Sequence, residues 1–264
     1  IFCVLFFITQ ESFAGFKVVP TQFFLGVARE KSETRVIKVH NTGDTPLSLE
    51  IYMRDFIREI NGKEKEVMSG TVEGSCAKWI RLSPLKLELA PNETKTVSFT
   101  MSVPKEGVGS YWTNIFVDQT SKPKPRVTKK GKTSFQVFVK MRYRIRVFQE
   151  VPGTLEKRGR IVDMTARPYE QKDSLVVDVV FENTGNSVLH PGGKVEIKDE
   201  NGETVKTLSL INKEDPPFQV YPGSKRIVQA RTKEKLASGH YVALAIIDYG
   251  GEDLVAGEME FEVK

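Results

Sequence analysis

The sequence predicts an all-β fold of two tandem β-sandwiches. Three observations predict it: an internal repeat, turn signals every ~8–12 residues, and no helical periodicity of useful length. The repeat is the strongest of them. Val39-His40-Asn41-Thr42-Gly43-Asp44 recurs as Phe181-Glu182-Asn183-Thr184-Gly185-Asn186, each time after an alternating apolar run. Ala90-Pro91-Asn92-Glu93 is echoed by Tyr221-Pro222-Gly223-Ser224, and Val108-Gly109-Ser110-Tyr111 by Ser238-Gly239-His240-Tyr241. Matched landmarks in the same order imply two copies of one fold.

Each landmark has a physical reason for its place. Asn-Thr-Gly ends a strand with a side chain that can bond its own backbone and a glycine free to take positive φ. Pro-Asn-Glu and Pro-Gly-Ser put a φ-locked proline at the first central turn position, ahead of the alternating runs Thr96–Phe99 and Arg226–Gln229. Gly-x-Tyr before an apolar strand resembles the tyrosine corner, in which the phenol bonds back to nearby backbone. The fold class is therefore two tandem immunoglobulin-like β-sandwiches. A length of 264 residues suits two domains of ordinary size, and 39% hydrophobic with 28% charged residues is globular composition rather than that of a disordered chain. The boundary falls at Gln149–Thr154, where a long strand runs into Val151-Pro152-Gly153. This gives domains 15–150 and 151–264.

Residues 1–14 read as the remnant of a signal peptide. Ile1–Phe7 are apolar and are followed by Ser12-Phe13-Ala14-Gly15, a small-x-small cleavage pattern; an apolar N-terminal strand is the alternative. An exported protein, periplasmic or at the cell surface, is expected, with no membrane span, since no run approaches the ~20 apolar residues that one needs. Of the two cysteines, Cys3 lies in the presumed signal. Cys76 beside Trp79 is expected to be a small buried apolar group.

Catalysis is not expected. His40, His190 and His240 share no metal-ligand spacing with one another or with a cysteine, and His190 and His240 are assigned to turns. No nucleophile elbow, phosphate loop or dinucleotide fingerprint occurs, so neither cofactor nor metal is expected. Asp55 and Glu59, or Glu252 and Asp253, read as solvated loop acids.

The most distinctive segment precedes the domain boundary. Phe135, Val137, Val139, Met141, Tyr143, Ile145 and Val147 alternate in a run of about thirteen residues, against a usual strand length of ~5–6. From Ser121 to Gln149 there are ten cations and no acid, whereas the whole chain carries only +5. Six of the cations are placed in a loop before the strand; Lys140, Arg142, Arg144 and Arg146 alternate along its polar face. Four like charges in a row repel, so compensation is expected from solvent, from acids on a neighbouring strand or from an acidic partner. Edge protection and a docking surface for an acidic polymer or subunit both fit; the absence of a recognisable module argues against nucleic acid.

The first half carries an ordered set: Val18-Val19-Pro20-Thr21, Asn41-Thr42-Gly43, Trp79–Pro84, Leu87–Pro91, Val97–Phe99 leading to Val103-Pro104, and Tyr111–Asn114 before the long strand. By that set, residues 16 to about 150 resemble the N-terminal domain of PapD-like periplasmic pilus-assembly chaperones. The second half is similar to a generic bacterial immunoglobulin-like repeat. The resemblance implies a chaperone or assembly factor that binds exported, pilin-like subunits by β-strand addition through Phe135, Val137, Val139 and Met141. A structural or adhesive surface protein that grips an acidic polymer is the competing reading. The resemblance also implies a pair of basic residues that anchor the client's terminal carboxylate. Arg144 matches the second of the pair, and the first falls at Gln22, which is not basic, with Lys17 and Arg29 on either side.

Overall fold

The computed structural model describes residues 15–122, 126–130, 133–169, 174–210, 219–232 and 235–263. The segment read as a signal remnant lies outside them. The chain forms two compact units: the first holds the chain through Asp55, Met68–Lys105 and Trp112–Gln149, and the second holds Phe56–Val67, Glu106–Tyr111 and Glu150–Lys264. Apart from one short turn of 3-10 helix at Ala77–Trp79, the regular structure described is all β.

In the first unit one sheet is ordered β1 (Phe16–Val19), β3 (Ser32–Asn41), β8 (Thr94–Ser102), β6 (Ile80–Ser83). The other is ordered β2 (Gln22–Leu25), β12 (Arg142–Glu150), β9 (Ser110–Gln119), β4 (Leu47–Arg58), β5 (Glu64–Met68), with β7 (Lys86–Leu89) also on β4. The opening strand thus changes sheets at Pro20: β1 pairs antiparallel with β3, and β2 runs parallel to β12. Period-two alternation puts Ile37, Val39, Val97, Phe99, Ile51, Ile115, Val117, Ile145 and Val147 in the core between the sheets, all but out of solvent.

In the second unit, β13 (Gly159–Tyr169), β14 (Ser174–Asn183) and β17 (Lys225–Arg231) make one sheet. The facing sheet is ordered β16 (Thr204–Ser209), β15 (Gly192–Asp199), β18 (Gly239–Asp248), β19 (Val255–Val263). Val177, Val179, Phe181, Val195, Ile197, Val228, Ala243, Ala245 and Ile247 fill the space between them. On the outer side of β17, the Ile227 N–H donates to the Ile60 carbonyl at 2.9 Å, so the turn of the β4–β5 hairpin covers that strand edge.

The internal repeat is a repeated hydrogen-bond network. Asn41 is buried; its Nδ2 donates to the Thr45 carbonyl at 2.8 Å and the Ala90 carbonyl at 3.0 Å, and its Oδ1 accepts from Gly43 N–H at 2.9 Å. Asn183 is buried likewise, with Nδ2 donating to the Ser187 and Val220 carbonyls at 2.7 Å each and Oδ1 accepting from Gly185 N–H at 3.0 Å. The main-chain N–H groups complete the match: Asn41 donates to Glu93, and Asn183 to Ser224, at the equivalent proline turns. The phenols also bond backbone, Tyr241 Oη donating to the Ala237 carbonyl at 3.0 Å and Tyr111 Oη accepting from Val108 N–H at 3.4 Å.

Candidate functional site

The thirteen-residue run is not one strand. The structure breaks it into β11 (Thr133–Val137) and β12, with Phe138–Met141 irregular between them. The cause is the end of β9. Gln119 N–H donates to the Met141 carbonyl at 3.1 Å, but Ser121 N–H, which strand alternation would aim the same way, turns instead to the Ser48 carbonyl at 3.4 Å. Past Met141 the chain has lost its sheet neighbour on that side, and β11 instead pairs with β10 (Arg126–Lys130) in a two-stranded ribbon. Part of the segment expected as a Lys-rich loop is therefore β10. The side chains of Phe135 and Val137 lie outside what the structure describes.

The described residues of this segment divide by position. Phe138 is 62% exposed and Val139 42% exposed, whereas Ile145 and Val147 are in the core. Met141 is half-buried, with its Sδ 2.7 Å from where a Cβ on Gly15 would be, so a side chain there would have to push the thioether aside. Phe16 backs Tyr143, ring centroids 5.0 Å apart. Among the described residues, β12 pairs on its other side with the four residues of β2, whose register spans Arg146–Gln149. From Ile145 back to Phe138 the chain runs past the end of β2, the outermost strand of its sheet.

Of the basic row, Arg142, Arg144 and Arg146 lie on the outward face of β12, and Lys140 lies in the irregular segment before it. Lys140, Arg142 and Arg144 are exposed and Arg146 is half-buried. Arg142 is compensated within the sheet: its Nε donates to Asp118 Oδ1 at 3.0 Å, and its guanidinium lies over the Phe116 ring, 4.2 Å from the centroid. It also donates to the Tyr52 phenol, which itself donates to Asp118 Oδ2 at 3.0 Å. Burial raises the Tyr52 phenol above its ordinary range, with Arg142 opposing and Asp118 reinforcing the shift. Acids on a neighbouring strand thus supply part of the expected compensation, and the sequence reading missed Tyr52, Phe116 and Asp118. Their even spacing along Leu47–Arg58 and Ser110–Gln119 carried the signal.

The register also shifts the basic residue paired with Gln22. Arg146, not Arg144, stands opposite Gln22 across the parallel β2–β12 pair, and Arg146 N–H donates to the Thr21 carbonyl at 3.0 Å.

Other candidates have structural places. Asp55, expected as a solvated acid, is buried and accepts from Gly70 N–H at 2.6 Å and Thr113 Oγ1 at 2.7 Å. Cys76 is buried as expected, and that burial, then the Asp55 charge, pushes its thiol well above the usual range. His40 Nδ1 is 2.9 Å from Thr94 Oγ1. His240, expected at a turn, is the second residue of β18, opposite Glu262. Among the described residues no group of three metal-ligating side chains comes together. Among the described residues, no helix is long and apolar enough to cross a membrane.

No protein-family model matches the chain, and no curated protein does. Among solved structures, the chain is similar to the chaperone–tip adhesin complex of CFA/I fimbriae, at 12% identity and TM-score 0.48 over 94% of this chain and 98% of that one. It is similar to the CsuC–CsuE chaperone–tip adhesion subunit pre-assembly complex of Acinetobacter baumannii Csu pili, at 15% identity and TM-score 0.45 over 93% and 98%. A third is the E. coli chaperone DraB, at 13% identity and TM-score 0.42 over 95% and 96%.

Proposed function

We propose that this protein is an exported assembly chaperone that captures a β-rich subunit by strand addition along Phe138–Ile145. One observation carries the reading: Phe138 and Val139 expose apolar side chains at the point where the chain leaves its sheet, on a strand that continues past the end of β2. A monomeric sheet normally blunts such an edge. Here the edge is apolar at its tip and cationic along its outward face, which suits an incoming strand that takes main-chain hydrogen bonds and seats alternate side chains. The ordered sequence resemblance supports the same reading. Gripping an acidic polymer is the weaker alternative, because Asp118 and Tyr52 already engage Arg142.

The test is recovery of a client. A tagged chain purified from periplasm is expected to bring down a small β-rich subunit, identified by mass spectrometry, and Val139→Asp with Phe138→Asp is expected to abolish recovery. Both positions are exposed, so the variant should fold, which circular dichroism checks. Undiminished recovery by the folded variant overturns the proposal.

A further inference from the structure

In the second unit one strand is apolar on both of its faces. Ala243, Ala245 and Ile247 of β18 lie in the core, and Val242, Leu244 and Ile246 at the alternate positions turn outward and are half-buried. A sheet with one face in solvent normally alternates apolar with polar residues, and strands apolar on both faces are those covered on both. Within this unit the facing sheet covers the inward side. The outward stripe runs on toward the β18–β19 turn, where Ala256 stands opposite Ile246 and Leu254 is 62% exposed.

The stripe has unlike rims. Glu258 stands opposite Leu244, Glu260 opposite Val242 and Glu262 opposite His240, so β19 lines one side with three exposed carboxylates at intervals of ~6.8 Å. Lys194, Glu196 and Lys198 of β15 line the other side, with Lys194 and Glu196 paired at 2.6 Å. Among the described residues, none of the three β19 carboxylates is in an ion pair. The unit's other sheet shows the contrast: Arg160 holds Glu182 at 2.7 Å and Arg167 holds Asp178 at 2.9 Å, so acids there are neutralised within the sheet. At the Val242 end of the stripe opens a cleft of about 650 Å³, in whose lining Asp199, Glu200, Glu260 and Glu262 outnumber Lys198 and His240.

We infer that this face docks a cationic amphipathic helix of another protein, with its apolar seam on Val242, Leu244 and Ile246 and its Lys/Arg flank on Glu258, Glu260 and Glu262. Width decides for a helix. The stripe is one strand wide between charged rims, and a helix meets a sheet along such a line, whereas a second sheet would lay its neighbouring strands on the rims as well. Length agrees: Val242 to Ile246 spans ~13.6 Å, and helix positions i, i+4 and i+8 span ~12 Å. The chain itself does not supply the occupant. Among the described residues the only helix is the 3-10 turn at Ala77–Trp79, and residues 1–14, though mostly apolar, hold Glu11 and no cation. A membrane surface of anionic lipid would be repelled by the same carboxylates. The surface belongs to the second unit and stands apart from strand addition at the first.

Fluorescence anisotropy on the full chain tests it with three labelled peptides of ~18 residues, about five helical turns. One is a helix with a Leu seam and Lys along one flank, the second has Glu in place of Lys, and the third reorders the residues of the first to period two. The Lys helix is expected to bind at least tenfold tighter than either of the others. Leu244→Asp is expected to weaken it at least tenfold, and Glu258→Lys with Glu260→Lys to reverse the preference between the Lys and Glu helices. The double variant changes exposed side chains only, so it decides the matter should Leu244→Asp fail to fold. If wild type binds the Lys and Glu helices equally, or if the folded double variant keeps the wild-type preference, the inference fails. Equal binding of the reordered peptide would overturn the helix, and a wild-type dimer that Leu244→Asp splits in sedimentation would put a second copy on this face instead.

Discussion

Asn41 and Asn183 hold their turns by the same means, a short side chain that satisfies two backbone carbonyls and one N–H that would otherwise be buried unpaired. Removing such a side chain strands its partners, at a cost of ~1–3 kcal/mol for each buried group left unsatisfied. Asn41→Ala and Asn183→Ala are each expected to destabilise by about 2–4 kcal/mol. Urea unfolding would show this as a lower midpoint; a shift under 0.5 kcal/mol in either variant would mean that the turn is held by something else. The letters of the repeat were legible in the sequence because Asn, Thr and Gly are locally informative. Their distant partners were not, since Ala90 lies 49 residues from Asn41 and Val220 37 residues from Asn183.

Strand alternation was readable at the scale of elements, but strand length was not. Phe135–Val147 keeps perfect period two, and a pattern of side chains cannot show where the neighbouring strand stops. It is the turn of Ser121 toward Ser48 that ends the ladder and detaches Phe138–Met141. Hairpin chemistry was similarly hidden. Asn61-Gly62 closes β4 and β5, with Gly62 at φ 89° and Gly62 N–H donating to the Glu59 carbonyl at 2.8 Å. A Cβ at Gly62 would meet the Arg226 guanidinium carbon at 2.2 Å. Beside it, Phe56 packs edge-on to Tyr221, and Arg58 lies over the same ring, 5.5 Å from its centroid, while bonding Glu64 at 2.5 Å. Gly62→Ala is expected to destabilise by more than ~1 kcal/mol, from backbone strain alone at positive φ and further from displacement of Arg226. Differential scanning calorimetry checks it; an unchanged or raised melting temperature would contradict the packing described.

Over the whole molecule, the sequence conveyed the all-β class and the two copies, because repeat and periodicity are properties of the chain. The layout of charge was half legible. Ten cations in Ser121–Gln149 were countable, but Arg142's partners Asp118 and Tyr52 lie 24 and 90 residues away. Cys76 draws a different consequence from the same architecture. Sealed under the first unit's second sheet and held as a thiol by burial and Asp55, it can react only when that unit opens, because the thiolate is the nucleophile. In a Cys3→Ser chain, a thiol-directed dye should therefore label very slowly in buffer and at a rate that climbs with urea; fast labelling without denaturant would show that the seal does not exist. The molecule carries its own clock, and the rate at which that single thiol is modified times how often the first unit of the chain comes apart.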